Sequence, residues 1–254
     1  MILDLFKLDN KVALVTGAGR GLGQAMAIAL AEAGADVAGL DVISLEETSA
    51  RVQALGRRFL PVKANLLDAH AADITSVVQQ VVDGLGGLDI LINNAGIIRR
   101  APVLEFTEKD WDDVIQINLK AVFLVSQAAG RVMAERGTGK IINIASMLSF
   151  QGGIRIPSYT ASKSGVAGLT RLFANELAAK GLNVNAIAPG YMATDNTAPL
   201  RADADRAPAI LDRIPAGRWG EPADLMGTVV FLASAASDYL NGAIVPVDGG
   251  WLTR

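Results

Sequence analysis

The sequence predicts a single doubly wound α/β domain, a seven-stranded parallel sheet with helices on both faces. Three observations predict it. Short runs rich in valine, isoleucine and leucine recur along the 254 residues, and they are apolar at consecutive positions, as strands covered on both faces must be. Helix-length segments separate them almost to the end, the alternation that gives parallel pairing through crossover helices. The first apolar run leads directly into a glycine cluster that opens a helix.

The elements follow in order. The first strand is "KVALVT" (11–16), and its helix spans 21–33. "ADVAGLD" (35–41) and a helix over 46–55 come next, then "FLPVKANL" (59–66) and a helix over 70–85. The only histidine, His70, sits at that polar strand-to-helix junction and reads as solvated. "LDILINNA" (88–95) precedes a helical stretch over 107–136 with a break inside it, and "GKIINIAS" (139–146) precedes a helix over 158–180. "LNVNAIAP" (182–189) is the sixth strand. After it the polar stretch 190–218 is too long for a plain connection and reads as a lid over a site. A helix over 221–234 and the strand "GAIVPVDGG" (242–250) close the chain. No linker, repeat or low-complexity segment divides residues 1–254. Trp111 and Phe123 read as core or subunit contacts, and Trp251 as a closure over the sheet edge or a neighbouring chain.

Composition excludes several function classes. The 23 basic and 26 acidic residues leave a net charge of -3 with no long run of either sign, which argues against a nucleic-acid surface. The absence of cysteine excludes disulfides and thiolate metal sites and suits a reducing compartment. A start without a basic region and apolar run, and no stretch of spanning length, lead to the expectation of a cytoplasmic protein with no membrane partner. With its only histidine, His70, read as solvated, the chain lacks the imidazoles that a Ser-His-Asp hydrolase or a histidine-rich metal site needs, and no metal is expected. Proton transfer near neutral pH then falls to a carboxylate, a lysine or a perturbed tyrosine.

"TGAGRGLG" (16–23) supplies a phosphate loop. Gly17, Gly21 and Gly23 let the backbone turn and approach a pyrophosphate, and the following helix terminus favours its negative charge. The second strand ends at Asp41, where a carboxylate accepts from both ribose hydroxyls of NAD and repels the extra phosphate of NADP. Arg20 points the other way, as a cation able to pair with that phosphate. Asp41 sits at the discriminating hydroxyl, so NAD is expected over NADP.

"SYTASKSG" (158–165) places Tyr159 and Lys163 four residues apart on one helical face. Bringing a phenol from its usual pKa near ~10 to about 7 requires roughly 4 kcal/mol of preference for the anion. A cation ~4 Å away at an effective dielectric near 20 supplies a bare Coulomb attraction of about that size, and desolvation opposes it. Ser146, at the end of the fifth strand, lies at the carboxyl edge of the sheet, where ligands of such sheets bind.

These motifs together, with "NNAG" (93–96) and "PG" (189–190), resemble the short-chain dehydrogenase/reductase family over essentially the whole chain. The resemblance implies a Rossmann-type fold and a homotetramer. It also implies a tetrad: Tyr159 as general acid/base, Ser146 bonded to the reacting oxygen, Lys163 on the nicotinamide ribose and lowering the tyrosine pKa, and Asn118 holding a relay water. The coenzyme residues it implies are Gly17, Arg20, Gly21, Leu22, Gly23, Asp41, Asn65, Leu66, Asn93, Ala95, Gly96, Pro189, Gly190 and Thr194, with Tyr159 and Lys163. Asn65 departs from the family, which often has an aspartate there against the adenine.

Within the family, "NNAGIIRR", "IASMLSFQGGIRIPSYTASK", "LDRIPAGRWG" and "SDYLNG" are most similar to members acting on sugar acids. That implies reversible hydride transfer between NAD and a secondary alcohol or ketone on a deoxy sugar acid. A carboxylate calls for a guanidinium. Arg155 and Arg100 are the candidate anchors, with Arg99 near them and Gln151 at the hydroxyls. Two alternatives remain open, a 3-oxoacyl carrier-protein reductase and a non-catalytic nucleotide-sensing scaffold.

Overall fold

The computed structural model describes residues 1–254. Seven strands, β1 (Val12–Thr16), β2 (Asp36–Asp41), β3 (Phe59–Lys63), β4 (Ile90–Asn93), β5 (Gly139–Ile144), β6 (Leu182–Pro189) and β7 (Ile244–Val247), form one parallel sheet in the order β3-β2-β1-β4-β5-β6-β7. Helices α1 (Gly21–Glu32), α2 (Glu46–Ala54), α3 (Ala71–Leu85), α4 (Glu108–Ile115), α5 (Ala121–Arg136) and α6 (Pro157–Leu177) fill the crossovers as the sequence predicts. The last strand is shorter than its apolar run because the Asp248 carboxylate accepts from the backbone of Gly250 and Leu252, closing a turn there.

Successive residues of one strand face opposite sides of a sheet, so a doubly wound sheet needs two cores. Ala13, Val15, Ile90 and Ile92 belong to a cluster of 23 buried residues on one face. Leu14, Leu91 and Ile141 belong to a cluster of 22 on the other. Near-equal burial on both faces is what consecutive apolar runs require. Each such side chain contributes about 1.5–3 kcal/mol, whereas an exposed ion pair such as Arg58 with Asp36 contributes roughly 0–1 kcal/mol, so the fold rests on the two cores.

Helix starts follow local chemistry. The Thr107 hydroxyl accepts from the backbone of Asp110 at the start of α4, and the Asp73 carboxylate accepts from the His70 N–H at the start of α3. His70 is exposed, as expected. The break in 107–136 is a π-helical turn over Gln116–Lys120 that joins α4 to α5 without ending the helix. Residues 190–218 are not a bare loop. They contain α7 (Ala198–Arg201) and α8 (Arg206–Arg213), and Met192 pairs with Gly220 in an isolated bridge. A 3-10 turn (Pro222–Leu225) and α9 (Met226–Ala233) follow, the latter packed on α1. Trp111 is largely exposed, while Trp251 is buried beside Met147, Ile210 and Ile214. No helix is long and apolar enough to cross a membrane.

Candidate active site

The chain leaves β1 toward β2 and β3 on one side and returns at β4 to build the other side. The strand ends therefore part between β1 and β4, and a crevice opens at that carboxyl edge. A cavity of about 530 Å³ occupies it.

At one end lies the glycine loop. Gly17 has φ +68°, a backbone conformation that side chains resist. A Cβ on Gly23 would stand 2.0 Å from the Gly17 carbonyl oxygen, so only glycine lets the first turn of α1 pack on the loop. The Thr16 hydroxyl accepts from the backbone of Asn94 and Ala95, each at 3.0 Å, and the Asn94 amide donates to the carbonyls of Thr16 (2.9 Å) and Gly17 (3.1 Å). These bonds lock the ends of β1 and β4 together. Arg20 reaches across the cavity mouth to Asp195 at 2.8 Å.

Next along the cavity is Asp41, whose carboxylate accepts from Gly19 N–H at 2.8 Å and Val42 N–H at 2.7 Å. Val42, Ile43 and Leu66 form apolar walls beside it, with Asn65 at the rim. The Asn65 carbonyl oxygen accepts from Leu67 N–H (3.1 Å) while its amide donates to Asp68 (2.6 Å), which fixes the turn after β3. Two glycines where a Cβ would collide, Gly17 with Asn94 and Gly23 with the Gly17 carbonyl, a helix terminus and a carboxylate at a strand end fit a dinucleotide coenzyme.

Tyr159 and Lys163 stand at the other end, on the first turns of α6, and both line the cavity. Small neighbours carry them there: Ser158 and Ser162 are fully buried, and the Ser162 hydroxyl donates to the Tyr159 carbonyl. The Lys163 ammonium is buried (4 % exposed) and donates to the Ile144 carbonyl at the end of β5, at 2.6 Å. Burial lowers its pKa to about 8. It lies 5.6 Å from the centre of the Tyr159 ring. Part of that ring meets the cavity while the hydroxyl lies deep, and burial raises the Tyr159 pKa; hydrogen bonding with Ser146 and the charge of Arg100 pull it back. The expected lowering by Lys163 is not among the influences on Tyr159 in the protein alone, where burial outweighs the pull of Ser146 and Arg100.

Ser146 and Asn118 lie behind the lining. The Ser146 hydroxyl accepts from Leu148 N–H at 3.2 Å. Asn118 is fully buried in the π turn, its side chain bonded twice to the Ile97 backbone at 2.9 Å, accepting from N–H and donating to C=O. The side chain therefore braces the segment after β4.

Gly17, Arg20, Gly21, Leu22, Gly23, Asp41, Asn65, Leu66, Ala95, Gly96 and Thr194 all line the cavity. Asn93 does not. It is the last residue of β4, and its amide donates to Ser126 and Asn143, each at 2.8 Å, inside the core. Asn94, one position later, holds the place assigned to it. Pro189 and Gly190 also lie outside this cavity; a Cβ on Gly190 would stand 2.6 Å from the Asp248 Cα, so close packing against the end of β7 explains that glycine. Arg100 approaches the site and donates to the Asn196 carbonyl at 2.9 Å. Arg99 is drawn away by Asp110 (3.3 Å) and Asp113 (3.9 Å). Arg155 is exposed, and Gln151 accepts from Arg213 at 3.4 Å. Asp195 and Asn196, in the segment after β6, also line the cavity and were not anticipated.

The family model for short chain dehydrogenase matches residues 11–205. The chain belongs to that family. It is thereby an NAD(P)-dependent oxidoreductase. The chain is 61% identical, over the full length of both, to the 2-dehydro-3-deoxy-D-gluconate 5-dehydrogenase of Escherichia coli (strain K12). It is 54% identical to an Agrobacterium tumefaciens protein assigned as a 2-deoxy-D-gluconate 3-dehydrogenase and solved with bound NADP, at a TM-score of 0.92 covering 99% of this chain and 100% of that one. A gluconate 5-dehydrogenase from Burkholderia cenocepacia, solved with NADP and tartrate, is 40% identical at a TM-score of 0.95, with complete coverage of both chains. The expectation of a short-chain dehydrogenase/reductase stands, and that of NAD over NADP draws no support from these relatives.

Proposed function

We propose that the protein interconverts a secondary alcohol and a ketone on a deoxy sugar acid of the 2-dehydro-3-deoxy-D-gluconate type. One observation carries the reading: Tyr159 and Lys163 stand at one end of a cavity whose other end is a glycine cradle, and Arg100 is close enough for its charge to act on Tyr159. The likeness to enzymes of sugar-acid chemistry supports the substrate class.

A bound nicotinamide supplies or accepts the hydride. In reduction, the Tyr159 hydroxyl gives its proton to the carbonyl oxygen as that carbon gains hydride, and in oxidation the phenolate takes the hydroxyl proton back. Ser146, whose hydroxyl favours the Tyr159 anion, would bond the reacting oxygen beside the phenol. Lys163 keeps an ammonium at the end of β5, held by Ile144, beside the phenol that must become an anion. The glycine loop, Asp41 and Leu66 would hold the coenzyme, with Thr194 closing from the lid side.

NAD in preference to NADP belongs to the same reading. The Asp41 carboxylate stands at the cavity wall, and Arg20, the cation able to offset it, is already paired with Asp195. NADP in the relatives weighs against it.

Initial rates of NADH and NADPH oxidation, with keto-deoxy sugar acids set beside an acetoacetyl thioester, test both parts. Turnover of the sugar acids with a higher kcat/KM for NADH is expected. Turnover of the thioester alone would favour an acyl reductase instead.

A further inference from the structure

Helix α8 carries its apolar side inward. Ile210 is buried with Met147 and Trp251, Ile214 just beyond the helix joins them, and the Arg213 guanidinium stacks 4.0 Å from the centre of the Trp251 ring. Helical spacing of four and seven residues puts Arg206 on the same inward side as Ile210 and Arg213, at the end of the helix nearest the start of the lid. Arg206 is only half-exposed there, and its charge acts on Arg100 and on Tyr191. Arg100 in turn acts on Tyr159. Ile210 packs with Met147, the residue after Ser146, so α8 carries Arg206 toward the end of the cleft that holds Ser146, and Arg100 reaches the same region from the segment after β4, bonded to the Asn196 carbonyl at 2.9 Å.

Neither forms a salt bridge. Arg20, Arg58, Arg99, Arg136 and Arg218 each pair with an aspartate, but no carboxylate pairs with Arg100 or Arg206. Asp203 lies near Arg206 and its carboxylate accepts from the Arg206 and Asp205 backbone, at 2.9 and 3.1 Å, without reaching the guanidinium. Two like charges held together and unpaired repel one another unless an anion enters between them. A carboxylate, with two oxygens for two planar forks, suits that place.

We infer that Arg206, together with Arg100, grips the substrate carboxylate and sets the enzyme's preference for acids. This rests on the acidic substrate of the proposed function. Arg206 touches substrate but not the reacting carbon, so its contribution is to substrate affinity.

The test compares a keto-deoxy sugar acid with its methyl ester on the whole enzyme, wild type and Arg206→Gln. The variant should raise KM for the acid about ten- to a hundredfold, as the loss of a charge-assisted bond does, with kcat little changed. The kcat/KM for the ester and the KM for NADH should not move, and Arg206→Lys should recover part of the acid's affinity. An unchanged KM for the acid, in an enzyme that still prefers acid to ester, removes Arg206 while leaving the substrate class intact. Equal use of acid and ester by the wild type overturns the acid reading and this inference with it. A measurement on the wild type stands independent of any variant's folding: tartrate should compete with the acid while uncharged threitol does not, and failure of tartrate to inhibit counts against the clamp.

Discussion

The two ends of the cleft are built differently. The coenzyme end is backbone and short side chains: Gly17 and Gly23, where a Cβ would collide with Asn94 and with the Gly17 carbonyl, Thr16 and Asn94 bonded to main-chain atoms, Asp41 bonded to Gly19 and Val42. It stands on the large cores. The proposed substrate end is long side chains from separate segments: Arg206 and Arg213 on α8, whose Ile210 belongs to a satellite cluster of only four buried residues, Gln151 bonded to Arg213, and Arg100 from the segment after β4. A fixed cradle suits a coenzyme common to many reactions. A small, separate cluster can change or open without disturbing it, because local stability follows local burial.

Tyr159→Phe should break activity at both ends equally, and it has the largest expected effect. Removing the hydroxyl deletes the proton donor, so kcat should fall by roughly 10²–10⁴ in both directions. Coenzyme affinity, followed by fluorescence titration, should hold, since the cradle is untouched. The raised Tyr159 pKa fixes the direction of the wild-type pH profile. Oxidation requires the phenolate and should climb as pH rises; reduction requires the phenol and should fall above the same pKa. A variant that keeps full kcat would remove Tyr159 from the chemistry.

Gly23→Ala sharpens the comparison by striking the coenzyme end alone. The new methyl must displace the Gly17 carbonyl, because no flexible side chain can yield in its place. Affinity for NADH should weaken by at least about tenfold, equivalent to roughly 1.4 kcal/mol, measured by titration. The ratio of kcat/KM values for different sugar acids at saturating coenzyme should stay constant.

The same contrast governs what the sequence revealed. The coenzyme end was legible because its parts are contiguous: a strand, "TGAGRGLG" and a helix in one stretch, with Asp41 at the next strand end. There the cavity is lined by Asn94 and not by the expected Asn93, because a single position decides whether an amide faces core or cleft at a strand end, and spacing does not say where β4 stops. The break inside 107–136 was legible, but its π character was not, since that depends on Asn118 bonding to Ile97 from a different segment. Arg206 was not found. The helical spacing of Arg206, Ile210 and Arg213 was present, but its inward side is set by contacts with Met147 and Trp251, far away in the chain. Arg99 and Arg100 are adjacent in sequence, and only Asp110 and Asp113 separate their roles.

Lys163 joins the two ends, and the effect that distinguishes it is on stability. Its ammonium is buried without an acidic partner, held by the Ile144 carbonyl, and its pKa falls to about 8 from an ordinary 10.5. Between those values the unfolded chain binds more protons than the folded one, so stability should rise with pH through the window and carry its full penalty below about 8. That gap corresponds to about 3 kcal/mol, and the bond to Ile144 returns part of it, ~1 kcal/mol. Lys163→Met should therefore make the coenzyme-free protein more stable at pH 7 by about 1–3 kcal/mol and flatten the rise above pH 8, read from urea midpoints, while activity is lost. Coincident melts at every pH would mean that the ammonium is hydrated in solution and that Tyr159 has no buried cation beside it. A more stable but inactive variant would show that the fold gives up stability to keep that charge next to a phenol whose own burial opposes ionisation.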